Sequence, residues 1–142
     1  MSITSSNAII MITVPGLFDS PQQLQGFSAD DIFDTPAINP SEISLGLDGR
    51  LSAGWVPVAV TQSYTLQADS PSIALFEGIY NAQQSVRDIY RLSGITTLSA
   101  IGVSYNQIRG VLTNYTPMPS GKKMLMPRTF AITWEAVVSV PL

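Results

Sequence analysis

The segment from Ala68 to Gly94, ADSPSIALFEGIYNAQQSVRDIYRLSG, limits what this chain can fold into, because no other segment reads as a long helix. Ser70 offers an N-cap, and Pro71 follows at the first helical position, where a missing N–H costs nothing. Ile73, Phe76, Ile79, Tyr80, Val86, Ile89 and Tyr90 recur at steps of three and four, which makes one apolar stripe. Arg87 and Arg91 fall where cations suit the helix dipole, and Gly94 supplies a stop. The spacing thus predicts a helix over about Ser70–Leu92, in which Gly78 costs about 1 kcal/mol relative to Ala. A lone amphipathic helix flanked by strands can bury its stripe only against a sheet. The expected fold is α+β, mainly β, as a single domain over 1–142.

On both sides of the helix the pattern is strand and turn, about seven strands in all. Asn7–Val14 is a short apolar run closed by Pro15-Gly16. Pro15–Pro40 is irregular and acidic, with a short strand at Gln22–Phe27. Glu42–Leu47 and Arg50–Val56 flank Asp48-Gly49, a dipeptide that predicts a hairpin with a type I′ turn. Val58–Gln67 alternates cleanly: Val58, Val60, Gln62, Tyr64 and Leu66 on one face, small polar residues on the other. Ile95–Ile101 and Tyr105–Thr116 follow, the latter with Ile108, Gly110 and Leu112 on one side. The last strand, Arg128–Val140, sets Phe130, Ile132, Trp134, Ala136, Val138 and Val140 against Thr129, Ala131, Thr133, Glu135, Val137 and Ser139.

The polar faces of the two clean strands carry almost no charge. In the whole chain only 12% of residues are charged, against about 25% in typical soluble domains. Mean hydropathy is positive at +0.24, yet no apolar run approaches the roughly 18 residues of a membrane span. Exposed strands in monomers are usually guarded by Lys or Glu against edge-to-edge pairing. Unguarded edges point to ordered assembly of copies of the chain. The net charge of −3 and the absence of a basic patch argue against a sequence-reading nucleic-acid binder. The first cation is Arg50, so no signal-peptide n-region is expected.

Chemistry is scarce. There is no His and no Cys, which removes the usual general bases, thiol nucleophiles and zinc ligands. Asp30-Asp31-Ile32-Phe33-Asp34 matches a DDxxD diphosphate–magnesium pattern, but that chemistry needs a helical apolar cavity and this chain offers one helix. Ser120-Gly121-Lys122-Lys123 lacks phosphate-loop spacing and a following helix. Asn114-Tyr115-Thr116 has the form of a glycosylation acceptor without an export signal. Ser and Thr have no base to activate them. The expectation is a non-enzyme without metal or cofactor. Lys122, Lys123 and Arg128 are instead expected to meet Asp30, Asp31 or Asp34 of a neighbouring subunit, setting register more than affinity. Trp55, Trp134, Phe130 and Tyr64 suit a core or a subunit contact, and Met118, Met124 and Met126 suit an adaptable one.

Two stretches, LGLDGRLSAGWVPVAVTQSYTLQADSPS (Leu45–Ser72) and GVLTNYTPMPSGKKMLMPRTFAITWE (Gly110–Glu135), resemble the tail tube proteins of tailed bacteriophages, especially contractile-tailed ones. The resemblance covers most of the chain from about Asp30 onward and implies an antiparallel β-sandwich or small barrel with one flanking helix. It further implies hexameric rings whose inner strands join into one barrel, stacked into a hollow tube that conducts DNA. The implied partners are other copies, a tail sheath outside, and baseplate and terminator proteins at the ends. The implied location is the virion tail, assembled in host cytoplasm. On that reading, alternation makes Thr61, Ser63, Thr65, Gln67, Thr129, Thr133 and Glu135 the lumen candidates, and the loops Pro15–Pro40 and Pro117–Pro127 ring-to-ring contacts. Other readings are a tail terminator or completion ring, a small fibre or adaptor protein, or the tube of a contractile injection system. The face assignment has a direct test. Ile132→Asp should abolish folding, at a cost of several kcal/mol. A soluble Ile132→Asp protein with a native circular dichroism spectrum would reverse the faces.

Overall fold

A computed structural model describes residues 8–28 and 32–142. Among these residues the order is β1 (Ala8–Val14), β2 (Phe18–Gln23), β3 (Phe33–Asp34), β4 (Ser41–Leu45), β5 (Leu51–Trp55), β6 (Val60–Leu66), α1 (Ile73–Val86), β7 (Leu92–Leu98), β8 (Val103–Asn114) and β9 (Arg128–Pro141). Seven strands form one antiparallel sheet in the order β2-β1-β7-β8-β9-β6-β3, while β4 and β5 pair only with each other. The mainly β fold with a single helix is thus the observed one.

The sheet is curled into a small barrel. Leu24 N–H donates to Ile10 O of β1 (2.9 Å), and two residues on, Gln67 N–H just past β6 donates to Gly26 O (2.8 Å). Phe27 bridges Leu66, and Ser28 N–H donates to Thr65 O. In a flat sheet β1 and β6 would lie about 19 Å apart, four strand spacings. Leu24 to Gly26 spans at most about 7 Å, so the sheet must bend until its sides meet. Its inner face then closes on Ile10, Ile12, Val14, Tyr64, Leu66, Phe130, Ile132 and Trp134, all fully buried.

The helix lies on this core through Ile73, Leu75, Phe76 and Ile79. Phe76 stacks flat on Phe130 at 4.5 Å between centroids, and Tyr80 stacks on Tyr115 at 4.4 Å. It is shorter than the expected Ser70–Leu92 at both ends. Its N-cap is Ser72, not Ser70, and neither hydroxyl caps it in the usual way. Both are taken by the stitching segment: Ser70 Oγ donates to Gln25 O, and Ser72 Oγ accepts from Gln25 N–H at 2.7 Å. At the other end Arg87 adopts a left-handed conformation and its N–H donates to Gln83 O. Val86 and Ile89, expected on the buried stripe, are therefore exposed.

Three glycines have steric roles that the sequence pattern misassigned or left open. Gly94 does not stop the helix; it sits in β7, where a Cβ would lie 3.0 Å from the Trp134 ring. Gly110 in β8 pairs with Trp134, and a Cβ there would lie 2.5 Å from the same ring. The indole is seated between these two bare backbones. Gly78 leaves room for Phe18, whose ring would lie 3.2 Å from a Cβ at that position.

Alternation also breaks in the two long strands. Arg109 has a positive φ of 49°, and the register of β8 on β7 shifts between Leu92 and Gly94. Gln107 is consequently buried where Ile108 was expected, and Ile108 is exposed. In β9, Val137 packs on the core, while Val138 and Val140 face outward. The hairpin turn differs too. Gly49 alone in it has positive φ (85°), Gly46 N–H donates to Arg50 O, and Gly49 N–H donates to Gly46 O. This is a three-residue loop of the bulged kind, not a type I′ turn.

Because the Trp134 seat has no free volume, Gly110→Ala should cost about 1–3 kcal/mol. Gly54→Ala, with nothing within 4 Å of the new methyl, should leave the melting temperature within a degree or so of the parent. Thermal unfolding followed by circular dichroism checks both, and equal melting temperatures would refute the seat.

Candidate functional site

The outer face of the sheet divides into two halves. On one half β6, β9 and β8 bring hydroxyls into register. Thr61 pairs with Thr133, which pairs with Val111, and Thr65 pairs with Thr129. Side chains follow the pairing: Thr61 and Thr133 hydroxyls are 3.2 Å apart, Thr113 and Thr133 3.0 Å, Thr65 and Thr129 3.4 Å. Ser63 lies between them, opposite Asp34 of β3. Thr61, Ser63, Thr65, Thr129 and Thr133 are thus brought together on one face, with Asp34 at its edge. Glu135 sits at the boundary of this half, 3.7 Å from Arg109 Nε, both side chains exposed. Gln67 lies past the end of β6, exposed.

Beyond that ion pair the same face becomes apolar. Ile9 on β1, Ile95 on β7, Ile108 on β8, and Val138 and Val140 on β9 are each 40–48% exposed. The register sets Met11 beside Ile95, Ile95 beside Asn106, and Asn106 beside Val138. Those rows contain no charged residue.

The hairpin β4–β5 stands clear of the barrel. Every residue of both strands is exposed, Leu45 at 71% and Trp55 at 81%. The pairs Ser41–Trp55, Ile43–Ala53 and Leu45–Leu51 share one face, and Glu42–Gly54 and Ser44–Ser52 the other. One side is largely apolar, and the other is polar, with Glu42, Ser44 and Ser52. A two-stranded hairpin is marginal at best in water by itself. The sequence announced the hairpin through Asp48-Gly49. The alternation of Ile43, Leu45 and Leu47 was also legible, but not the partners of these side chains across the hairpin, nor that none of the described residues covers them.

The expected inter-subunit charges are scattered. Asp30 and Asp31 lie outside the described residues. Lys122 and Lys123 are exposed in the loop before β9, beside the exposed Met118, Met124 and Leu125. Arg128 is only 4% exposed and is committed inside its own chain, so it does not stand at a rim. It donates to Glu77 Oε1 of the helix at 3.0 Å and to Thr116 O at 2.5 Å, and its guanidinium lies over the Phe130 and Tyr115 rings. It fastens the 115–127 loop to α1.

A cleft of about 320 Å³ opens at one end of the barrel, with Phe33, Leu98, Tyr105 and Val137 among its walls. Its floor is neutral: Tyr64 donates to Gln62 Oε1 (2.7 Å), Gln107 Nε2 donates to the same oxygen, and Thr96 donates to Gln107 Oε1 (3.0 Å). Burial pushes the Tyr64 hydroxyl well above its ordinary value of about 10. Among the described residues no carboxylate, lysine or arginine lines the cleft. Among the described residues no three His, Cys, Asp or Glu side chains gather as a metal site. No helix among them is long and apolar enough to cross a membrane.

The model of a family described as Tail fiber protein gp32 matches residues 1–138. No curated protein matches the chain. Solved structures with this fold include a chain of the anti-feeding prophage cap, a tube-terminating cap (TM-score 0.63, 16% identity, covering 100% of this chain and 93% of that one). A chain of the sheath–tube complex of the PVC extracellular contractile injection system has TM-score 0.60 and 13% identity, covering 94% and 88%. A chain of the anti-feeding prophage baseplate has TM-score 0.58 and 9% identity, covering 99% and 97%. At these identities the likeness is one of fold.

Arg128→Ala should lower stability by about 2–3 kcal/mol, because a charged hydrogen bond and the packing of the stem are both lost. The urea midpoint measures it. Impaired assembly with an unchanged midpoint would return Arg128 to the subunit boundary.

Proposed function

This chain belongs to the Tail fiber protein gp32 family, and from that premise we propose that it is a ring-forming structural subunit on the axis of a contractile tail. The observation that carries the reading is the unfinished surface of the protomer: a hairpin that no described residue covers, and a sheet face of mostly hydroxyls and aliphatics with few charges, the Arg109–Glu135 pair, Arg91 and Asp34. Copies of the chain are the economical cover for such a surface. The ring that ends the tube is the first placement, supported by a fold likeness to a tube-terminating cap over the full chain. The stacked ring of the tube itself is the second, supported by the likeness to a sheath–tube complex.

In either place the hydroxyl half of the sheet faces the bore. Phosphates would meet Thr61, Ser63, Thr65, Thr129 and Thr133, with Arg91 and the Glu135-paired Arg109 as the cations beside them, so DNA is held weakly and slides. The subunit works without catalysis, in the virion, beside sheath and baseplate components.

Negative-stain microscopy of the purified protein should show rings. Single rings that never stack favour the terminal placement, and tubes favour the stacked one; trimeric fibres or a persistent monomer refute both. In a virion, Thr133→Lys should still assemble but deliver DNA poorly, as measured by potassium release or infection. Normal delivery would remove that face from the bore.

A further inference from the structure

We infer that the ring contact is made by the β4–β5 hairpin of one copy lying, apolar side down, across the apolar half of the next copy's outer sheet face. The inference rests on the ring reading above and specifies its interface.

Two surfaces of this chain have no cover among the described residues, and they match in character. The hairpin offers Ile43, Leu45, Leu51 and Trp55 on one side, with Leu47 at its tip. Together these five side chains leave on the order of 700 Å² in water, close to the ~800 Å² per partner of a standard interface. The receiving face offers Ile9, Ile95, Ile108, Val138 and Val140, spread over β1, β7, β8 and β9. It is four strands wide, about 19 Å across counting both outer strands, and a two-stranded ribbon fits within it. A charged partner protein would find no complement on either surface. A lipid surface would want basic residues around the hairpin, which carries Arg50 against Glu42 and Asp48.

The two patches are different regions of one molecule, so the contact is heterologous. Each copy gives its hairpin to one neighbour and receives one from the other, which closes into a ring or continues as a filament. The division of labour on the sheet follows: Arg109 and Glu135 mark the line between the half that the neighbour covers and the half left to the bore. The hairpin's far side carries Ser44 and Ser52, with Glu42 as its one charged side chain.

The test uses the full chain and sedimentation velocity. Leu45→Glu and Val138→Lys, each alone, should weaken assembly by about tenfold or more. Both side chains are exposed in the protomer, so the melting temperature of the unassembled variants should stay near that of the parent. The double variant should recover assembly, because the opposite charges meet across the contact. Since the parent has no cysteine, a second readout is clean: Leu45→Cys combined in one chain with Ile95→Cys, Ile108→Cys or Val138→Cys should oxidise to a ladder of covalent multimers. Rings that persist in both single variants overturn the inference and leave the ring reading standing. So does loss of rings with Leu45→Glu but not with Val138→Lys, which places the hairpin elsewhere. A parent protein that never forms rings defeats the ring reading itself.

Discussion

The barrel exists because five residues, 24–28, are bonded to strands that a flat sheet would hold far apart. Leu24 takes its partner from β1, and Gly26 and Ser28 take theirs from β6 and its end. That short span forces the curl, and the curl gathers the inward side chains of five strands around Phe130, Ile132 and Trp134. The helix then covers the core from the inner side of the sheet, and the flat stack of Phe76 on Phe130 is where it lands. Even the serines at its start are spent on this closure: Ser70 and Ser72 hold Gln25 and leave the helix without a side-chain cap.

Curling the sheet also decides what stays outside. A closed barrel with one helix uses its inner face completely and has nothing left to cover the outer one. In an ordinary monomer that outer face would carry Lys and Glu. Here it carries mainly threonines on one half and isoleucines and valines on the other, with the exposed Arg109–Glu135 pair between them and Arg91 and Asp34 beside the threonines. The hairpin repeats the theme with an apolar side and a serine side. On the proposed reading, self-association would remove apolar area from water without a desolvation cost for charge, which fits so low a charge content.

Parts of the chain were legible for local reasons. Strict alternation in Val60–Leu66 and in the first half of β9 placed Tyr64, Leu66, Phe130, Ile132 and Trp134 inward, as observed. Where the signal was a single residue, it misled. Gly94 looks like a helix stop because glycine ends helices often, but its role is to admit the Trp134 ring from another strand. Ile108 looked inward by parity, yet the positive φ of Arg109 shifts the inner set to Gln107, whose amide is satisfied by Gln62 and Thr96. Arg128 looked like a rim charge because it follows two lysines. Its partners, Glu77 and the carbonyl of Thr116, are set by the helix and loop that fold over it.

What the sequence determined by itself is what periodicity and composition can carry. A single helix among alternating strands fixes a mainly β domain, a low charge content gives the expectation that copies of the chain pack together, and the lack of His and Cys removes the usual imidazole and thiol groups. Those are properties of each segment alone or of the sum. Tertiary structure decided which strands meet, where parity slips, that Arg128 points inward, and that the hairpin stands clear while the outer face splits in two. Each of these depends on contacts between residues tens of positions apart, and no local pattern encodes the geometry of a closure that happens elsewhere in the chain.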